Sequence, residues 1–217
     1  GPFTVGANVF QIQAGTDFGA ANDNLKKATE SFYSAGSVFR FGLTEKFEIS
    51  SSLNYQQDKF EANKFSSTRA GISSLGLGLR NNIYVGKGLF PSVGMQFNLK
   101  LPFTDKAYQS NYIAPKITLM TGQSLSNKFS FTTNWGIDWN GNNANPAGFY
   151  VLNLGYSITD KIGTFIEYYG SIQNKKLNAK FDGGFSWLLN NNLQLDISGG
   201  YDKNGAHNSD WFVSAGV

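Results

Sequence analysis

The sequence predicts an all-β chain, an antiparallel up-and-down transmembrane β-barrel of about twelve strands that takes up residues 1–217 as one domain. Three observations carry this. Along stretch after stretch, every second residue is apolar and the residues between are Gly, Ser, Thr, Asn, Gln or charged, which is the period of a strand with one greasy and one polar face. A small turn recurs, with three polar residues between two apolar ones: Leu43-Thr44-Glu45-Lys46-Phe47, Leu125-Ser126-Asn127-Lys128-Phe129, Ile158-Thr159-Asp160-Lys161-Ile162 and Leu189-Asn190-Asn191-Asn192-Leu193. An odd number of turn residues keeps the flanking apolar residues on one face. Finally, tight turns alternate with longer polar stretches. In an up-and-down sheet that sorts every tight turn to one end, as in transmembrane barrels with short periplasmic turns and longer external loops.

The elements follow in order. The first strand, Ala7 to Gly19, sets Phe10, Ile12, Ala14, Thr16 and Phe18 against Gln11, Gln13, Gly15 and Asp17. A polar stretch from Ala20 to Ser31 leads to strand two, about Phe32 to Gly42, where Phe39 and Phe41 oppose Val38 and Arg40. After the first turn, Phe47, Ile49, Leu53 and Tyr55 alternate with Glu48, Ser50, Ser52 and Asn54, and a polar loop is expected over Lys59 to Arg69. Strand four carries Leu75, Leu77, Leu79 and Ile83 against Gly76, Gly78, Arg80 and Asn82, and a tight connection is expected at Gly86-Lys87-Gly88. Strand five sets Val93, Met95, Phe97, Leu99 and Leu101 against Gln96, Asn98 and Lys100.

A loop from Phe103 to Asn111 precedes strand six, in which Ile113, Pro115, Ile117 and Leu119 oppose Lys116 and Thr118; Pro115 predicts a bulge or a frayed start. Strand seven is the clearest, with Phe129, Phe131, Thr133, Trp135, Ile137 and Trp139 opposing Ser130, Thr132, Asn134, Gly136 and Asp138. The Asn/Gly-rich stretch Asn140 to Ala147 breaks it. Strands eight and nine flank the Asp160 turn. Strand ten places Phe181, Phe185, Trp187 and Leu189 against Lys180, Asp182 and Ser186, and strand eleven places Leu193, Leu195, Ile197 and Tyr201 against Gln194, Asp196 and Ser198. The last strand runs from Asp210 to Val217.

Composition says which way the greasy face points. Hydrophobic residues make up 41% but charged residues only 15%, below the roughly 25% of soluble domains. No run reaches the ~20 apolar residues of a membrane helix, so hydrophobicity is stored in alternation. A soluble sandwich, jelly roll or propeller would bury the greasy face, and a propeller would group its strands in fours. The nearly unbroken apolar face and the sorted connections instead predict lipid outside and a polar lumen within. Phe131, Trp135, Leu154, Ile166, Phe185 and Leu195 are then lipid-facing. Phe41, Phe47, Phe129, Tyr156 and Trp187 at the turn end, and Phe18, Tyr55, Trp139, Tyr150, Tyr168 and Tyr201 at the loop end, suit the two interfaces.

Several segments along the chain resemble a known family: Phe39 to Glu48, Leu75-Gly76-Leu77-Gly78-Leu79-Arg80, Lys100-Leu101-Pro102-Phe103, Gly155 to Gly170, Asn192 to Asp196 and Asp210-Trp211-Phe212. It is the bacterial outer-membrane transporter family named for the MetA (meta-cleavage) pathway of phenol degradation, and the similarity runs through nearly the whole chain in order. It implies an outer-membrane barrel, with lipid and lipopolysaccharide around it. The sequence departs from the family at its ends, with no charged-then-apolar leader before Gly1 and no terminal aromatic after Val217. A signal peptide already removed, and trimming on both sides, are the expectation.

Chemistry is sparse. The one histidine, His207, is near Ser209 and Asp210 in a loop, but neighbours in a loop do not make a triad, and no enzyme is expected. Without cysteine there are no disulfides or thiolate ligands, and no carboxylate spacing resembles a calcium loop, so no metal and no cofactor are expected. A net charge of +3, with compact basic clusters only at Lys26-Lys27 and Lys175-Lys176, gives no nucleic-acid surface.

What remains is the charge on the inward parity: Arg40, Arg80, Lys100, Lys116 and Lys180 against Asp17, Glu48, Asp138, Glu167, Asp182 and Asp196, close to balance. This fits a narrow pore for small solutes, hydrophobic or aromatic ones included. It equally fits a lumen closed by ion pairs, the barrel then serving as a scaffold for other outer-membrane proteins. A barrel of about twelve strands lies between the filled and the open sizes and does not choose between them.

Overall fold

In a computed structural model that describes residues 1–88, 90–204 and 208–217, the chain is a closed barrel of twelve antiparallel strands. They are β1 (Phe10–Asp23), β2 (Ala28–Gly42), β3 (Phe47–Ala62), β4 (Phe65–Tyr84), β5 (Ser92–Leu101), β6 (Ala114–Ser124), β7 (Phe129–Asp138), β8 (Ala147–Ser157), β9 (Ile162–Gln173), β10 (Lys176–Asn190), β11 (Leu193–Asn204) and β12 (Asn208–Gly216). Each strand pairs with its sequence neighbours, and β1 pairs with β12 from Gly15↔Gly216 to Asp23↔Asn208, so no ladder edge is left open.

The recurrent turn has a common construction. In the first, the N–H groups of Leu43 and Thr44 both donate to the Phe47 carbonyl (2.9 and 3.2 Å), while the Thr44 hydroxyl accepts from Lys46 and Phe47 (3.2 and 3.0 Å). Ser126 and Thr159 repeat this in the turns from Leu125 to Phe129 and from Ile158 to Ile162. The third polar residue, Lys in all three, turns its carbonyl sideways to the next strand but one. Lys46, Lys128 and Lys161 accept from Asn82 of β4, Ser157 of β8 and Leu188 of β10 at 2.8–2.9 Å. A hydroxyl that mimics a backbone turn is what Ser and Thr offer at such positions.

The opposite end departs from the sequence reading. The stretch Lys59 to Arg69 is not a loop; β3 and β4 run on through it to a two-residue turn at 63–64. β9 and β10 likewise meet at Asn174 and Lys175, both left-handed (φ 50° and 63°), the backbone a two-residue hairpin of matching twist demands. β1 and β2 extend to a turn at 24–27. Hydrophilic residues there are wall rather than loop, because a strand that rises beyond a membrane has water on both faces. The segments at 102–113 and 139–146 are true loops, as expected. At the tight-turn end, β4 stops at Tyr84 and β5 begins at Ser92, further apart than the expected Gly86-Lys87-Gly88 turn, beside a register shift between Asn82 and Tyr84. Pro115 sits second in β6, opposite Leu99, with the ladder continuing past it to Ala114.

The two faces separate as the alternation requires. Outward side chains include Ile166 (63% exposed), Phe185, Trp135 and Leu195, and Phe131 and Leu154, cross-strand partners on the same face, lie half-buried among neighbours. Trp135, Tyr150, Tyr168 and Phe181 form a continuous aromatic row across β7–β10, with centroids 5.9, 5.5 and 4.6 Å apart. The inner face is not purely polar. Phe32, Phe149, Phe165 and Phe212 point inward, and each pairs directly with a glycine, Gly19, Gly136, Gly184 and Gly200. A Cβ at those glycines would meet the ring at 2.5–2.9 Å, so each ring lies flat on its partner and hugs the wall.

Candidate functional site: the barrel lumen

Residues 1–8 enter the barrel from the tight-turn end and lie against the inner wall. Pro2 is fully buried, its carbonyl accepting from Asn82 Nδ2 (3.1 Å), and a Cβ at Gly94 on β5 or Gly122 on β6 would strike it. Only an enclosed face can bury a strap in this way, which fixes the parity of Arg80, Asn82 and Glu48 as inward. The strap is held to the first turn: Thr4 Oγ1 donates to the Glu45 carbonyl (2.7 Å), the Ala7 N–H to Glu45 Oε1 and the Asn8 N–H to the Gly42 carbonyl (2.8 Å). Gly42 has no room for a side chain, since a Cβ there would overlap the Gly6 carbonyl oxygen.

Beneath the strap, Glu48 is 1% exposed. It accepts from the Val5 N–H (3.0 Å) and faces Arg40 (3.6 Å) and Arg80 (3.9 Å). Arg80 also donates to the Phe3 carbonyl and to Gln96, both at 3.0 Å. One carboxylate thus serves two guanidiniums, and the buried Nε of each arginine has no hydrogen-bond partner.

The remaining predicted inward residues all share this face but do not form one network. Asp17 accepts from Ser34 (2.9 Å), Glu167 from Asn153 (2.7 Å), Lys116 lies 3.6 Å from Asp138 and 4.2 Å above the Phe149 ring, and Lys180 is bonded to Asp210. Lys100 has no partner among the described residues, and Asp196 is exposed to the lumen beside Gly216. Sequence reasoning missed Glu30, Asp58, Asp202, Asp210 and Arg69, because they fall in stretches read as loops or at strand ends. They shift the expected near-balance of the lumen toward the acidic side. For four of them the signal was present: Glu30, Asp58, Asp202 and Asp210 continue the inward parity of their strands, whereas Arg69 is brought inward only by the bulge at Ser73.

At the loop end, a cavity of ≈ 330 Å³ opens among Glu30, Asp58, Arg69, Tyr169, Lys180 and Asp210. Next to Asp58 and Arg69 of this cavity, the 102–113 loop folds back over β3 and β4. Asp105 Oδ2 accepts from the Ile72 N–H (2.5 Å) and the Asp105 N–H returns a bond to the Ile72 carbonyl (3.1 Å), at a bulge where Ser73 is the extra residue. The Tyr108 hydroxyl lies 3.2 Å from the carbonyls of Gln56 and Arg69, and the Arg69 guanidinium stacks 5.1 Å from its ring. Burial, and then the Asp58 carboxylate, push the Tyr108 phenol above its ordinary value. Among the described residues no group of His, Cys, Asp and Glu is placed to hold a metal ion, and His207 lies outside the described residues.

A family model described as "Putative MetA-pathway of phenol degradation" matches residues 1–216. The chain belongs to this family. No curated protein matches it. Among solved structures, it resembles an outer membrane channel from Pseudomonas putida F1 (TM-score 0.73, 9% identity, covering 99% of this chain and 97% of that one). It also resembles the translocator domain of the autotransporter NalP from Neisseria meningitidis (TM-score 0.65, 12% identity, 95% and 87%) and the toluene transporter TbuX from Ralstonia pickettii (TM-score 0.58, 8% identity, 99% and 90%). At these identities the likeness is one of fold, and the fold is that of outer-membrane barrels.

Proposed function

We propose that this member of the MetA-pathway family is a single-domain outer-membrane barrel that passes small solutes through a narrow polar lumen, a transport role and not an enzymatic one. The solutes named for similar barrels, toluene among them, make hydrophobic or aromatic molecules one class to test. The observation that carries this reading is the state of the inner face. Lys100 is unpaired among the described residues, Asp196 is exposed to the lumen, and a cavity of ≈ 330 Å³ opens at the loop end. A lumen knitted shut by ion pairs would have joined such groups to partners. The surroundings this barrel needs are outer-membrane lipid and lipopolysaccharide on its apolar belt.

A second reading, a closed scaffold that binds other outer-membrane proteins, is favoured by the strap over Glu48. Single-channel recording in planar bilayers, paired with urea unfolding, separates the two for Arg40→Gln and Glu48→Gln. The pore reading expects conductance in the parent, altered in both variants. No parent conductance, with stability falling sharply in both, would leave the scaffold.

A further inference from the structure

The inner face sorts its charge by sign around the ring. On one side, Glu167 of β9 stands directly opposite Asp182 of β10, and Asp202 of β11 directly opposite Asp210 of β12. Like charges paired across a ladder destabilise it. Among the described residues, the cations that reach these four are Lys180, bonded to Asp210, and the Gly1 ammonium, within electrostatic reach of Glu167. Asp182 Oδ1, Asp202 Oδ2 and Asp210 Oδ1 are all sealed from solvent without a hydrogen-bond partner. On the other side stand Arg80 of β4, Lys100 of β5 and Lys116 of β6. In a ring of twelve in this order, β5 is diametrically opposite β11. Two pairs of adjacent carboxylates kept at a cost to the wall, with an unpaired lysine on the opposite side of the ring, make an arrangement that folding alone would not favour.

We propose that the lumen carries a transverse electric field that selects small zwitterionic or cation-bearing solutes over uncharged ones, with the cationic group drawn toward β9–β12 and the anionic pole toward β4–β6. The inference rests on the pore reading. A dipolar solute exchanges its hydration for two oppositely charged walls at once, whereas a neutral apolar solute must displace the water those walls order and gains nothing in return. The carboxylates do not converge as a metal site would, so a bulky ammonium suits them better than a bare ion. The flat phenylalanine rings leave room for such a solute's apolar body.

The test uses the purified folded barrel in planar bilayers and liposomes, with folding checked by the mobility of unheated samples on gels. In a potassium chloride gradient the reversal potential should report cation preference of about threefold or more. In swelling assays phenylalanine, a zwitterion at neutral pH, should enter faster than benzyl alcohol, and phenylacetate should be slowest. Lys100→Glu should raise the cation preference and erase the advantage of phenylalanine. Asp182→Asn with Asp202→Asn should lower the cation preference toward unity, and relief of both like-charge pairs, with the Lys180–Asp210 pair kept, should leave the barrel at least as stable. A parent that passes neither current nor solute refutes the pore and this inference with it. A conducting parent with no ion preference, or with selectivity unmoved in folded variants of both walls, refutes the field alone.

Discussion

At Glu48 a single carboxylate compensates Arg40 and Arg80 and anchors the Val5 N–H, all away from solvent. Breaking a buried pair leaves the survivor charged and unsolvated. Glu48→Gln should therefore cost about 3–5 kcal/mol in urea unfolding, while Lys100→Gln, which strands no partner, should cost far less. A similar loss from both would show that Glu48 is better hydrated than its burial implies. Parity alone is the ground on which these residues and the other lumen charges are assigned to the inner face. What parity could not show is which charges meet, since Arg40, Glu48 and Arg80 lie on three strands whose register is a tertiary fact. The inward phenylalanines were hidden for a related reason: a ring inside a polar lumen contradicts the alternation until the glycine it covers is known to be its cross-strand partner.

At the scale of elements, the tight turns were legible because Leu43, Leu125 and Ile158 each precede the same Thr/Ser-x-Lys pattern. The far rim was not, because a polar strand standing in water has the composition of a loop. Two elements, the 102–113 loop there and the strap at the near rim, are tied to the wall by specific hydrogen bonds that single substitutions can break. Gly42→Ala should push the strap off the inner face, since its Cβ would overlap the Gly6 carbonyl. The expected result is a larger single-channel conductance with little change in unfolding; unchanged conductance would mean the strap does not obstruct the path. Asp105→Ala removes the 102–113 loop's bond to Ile72 and should raise proteolytic cleavage within that loop. The Tyr108 phenol, raised above its usual range, stays neutral and bonded at physiological pH. The contribution of that latch to stability should be fully present there and lost only as pH climbs through the raised value.

For the whole molecule, the inversion of faces is the property to test. Ile166 is 63% exposed in the apolar belt, and an arginine there should cost on the order of 2–4 kcal/mol of folding stability in bilayers. The same substitution at Lys175, at the rim, should be nearly neutral, and equal costs at both would place the lipid elsewhere. The tight-turn end, where the strap enters, is proposed to face the periplasm. Cysteines placed at Asn143 and Asp160 should then label on intact cells at the former only, and the reverse would invert the barrel. Strand number and pairing followed from alternation and turn count. The axial placement of the membrane did not, because the change to polar residues where strands rise past it reads in the sequence as the start of a loop.

The sideways carbonyls of Lys46, Lys128 and Lys161 make the two rims unequal in a further way. Each tight turn is stitched to a strand outside its own hairpin, at Asn82, Ser157 and Leu188, whereas the turns at 63–64 and 174–175 close only on themselves. A circularly permuted barrel, with residues 1 and 217 joined and new ends opened at 63–64 or 174–175, should therefore refold into bilayers much as the parent does. Permutants opened inside the Lys46 or Lys161 turns should fold more slowly, since the cut removes the bond by which one finished hairpin receives the next.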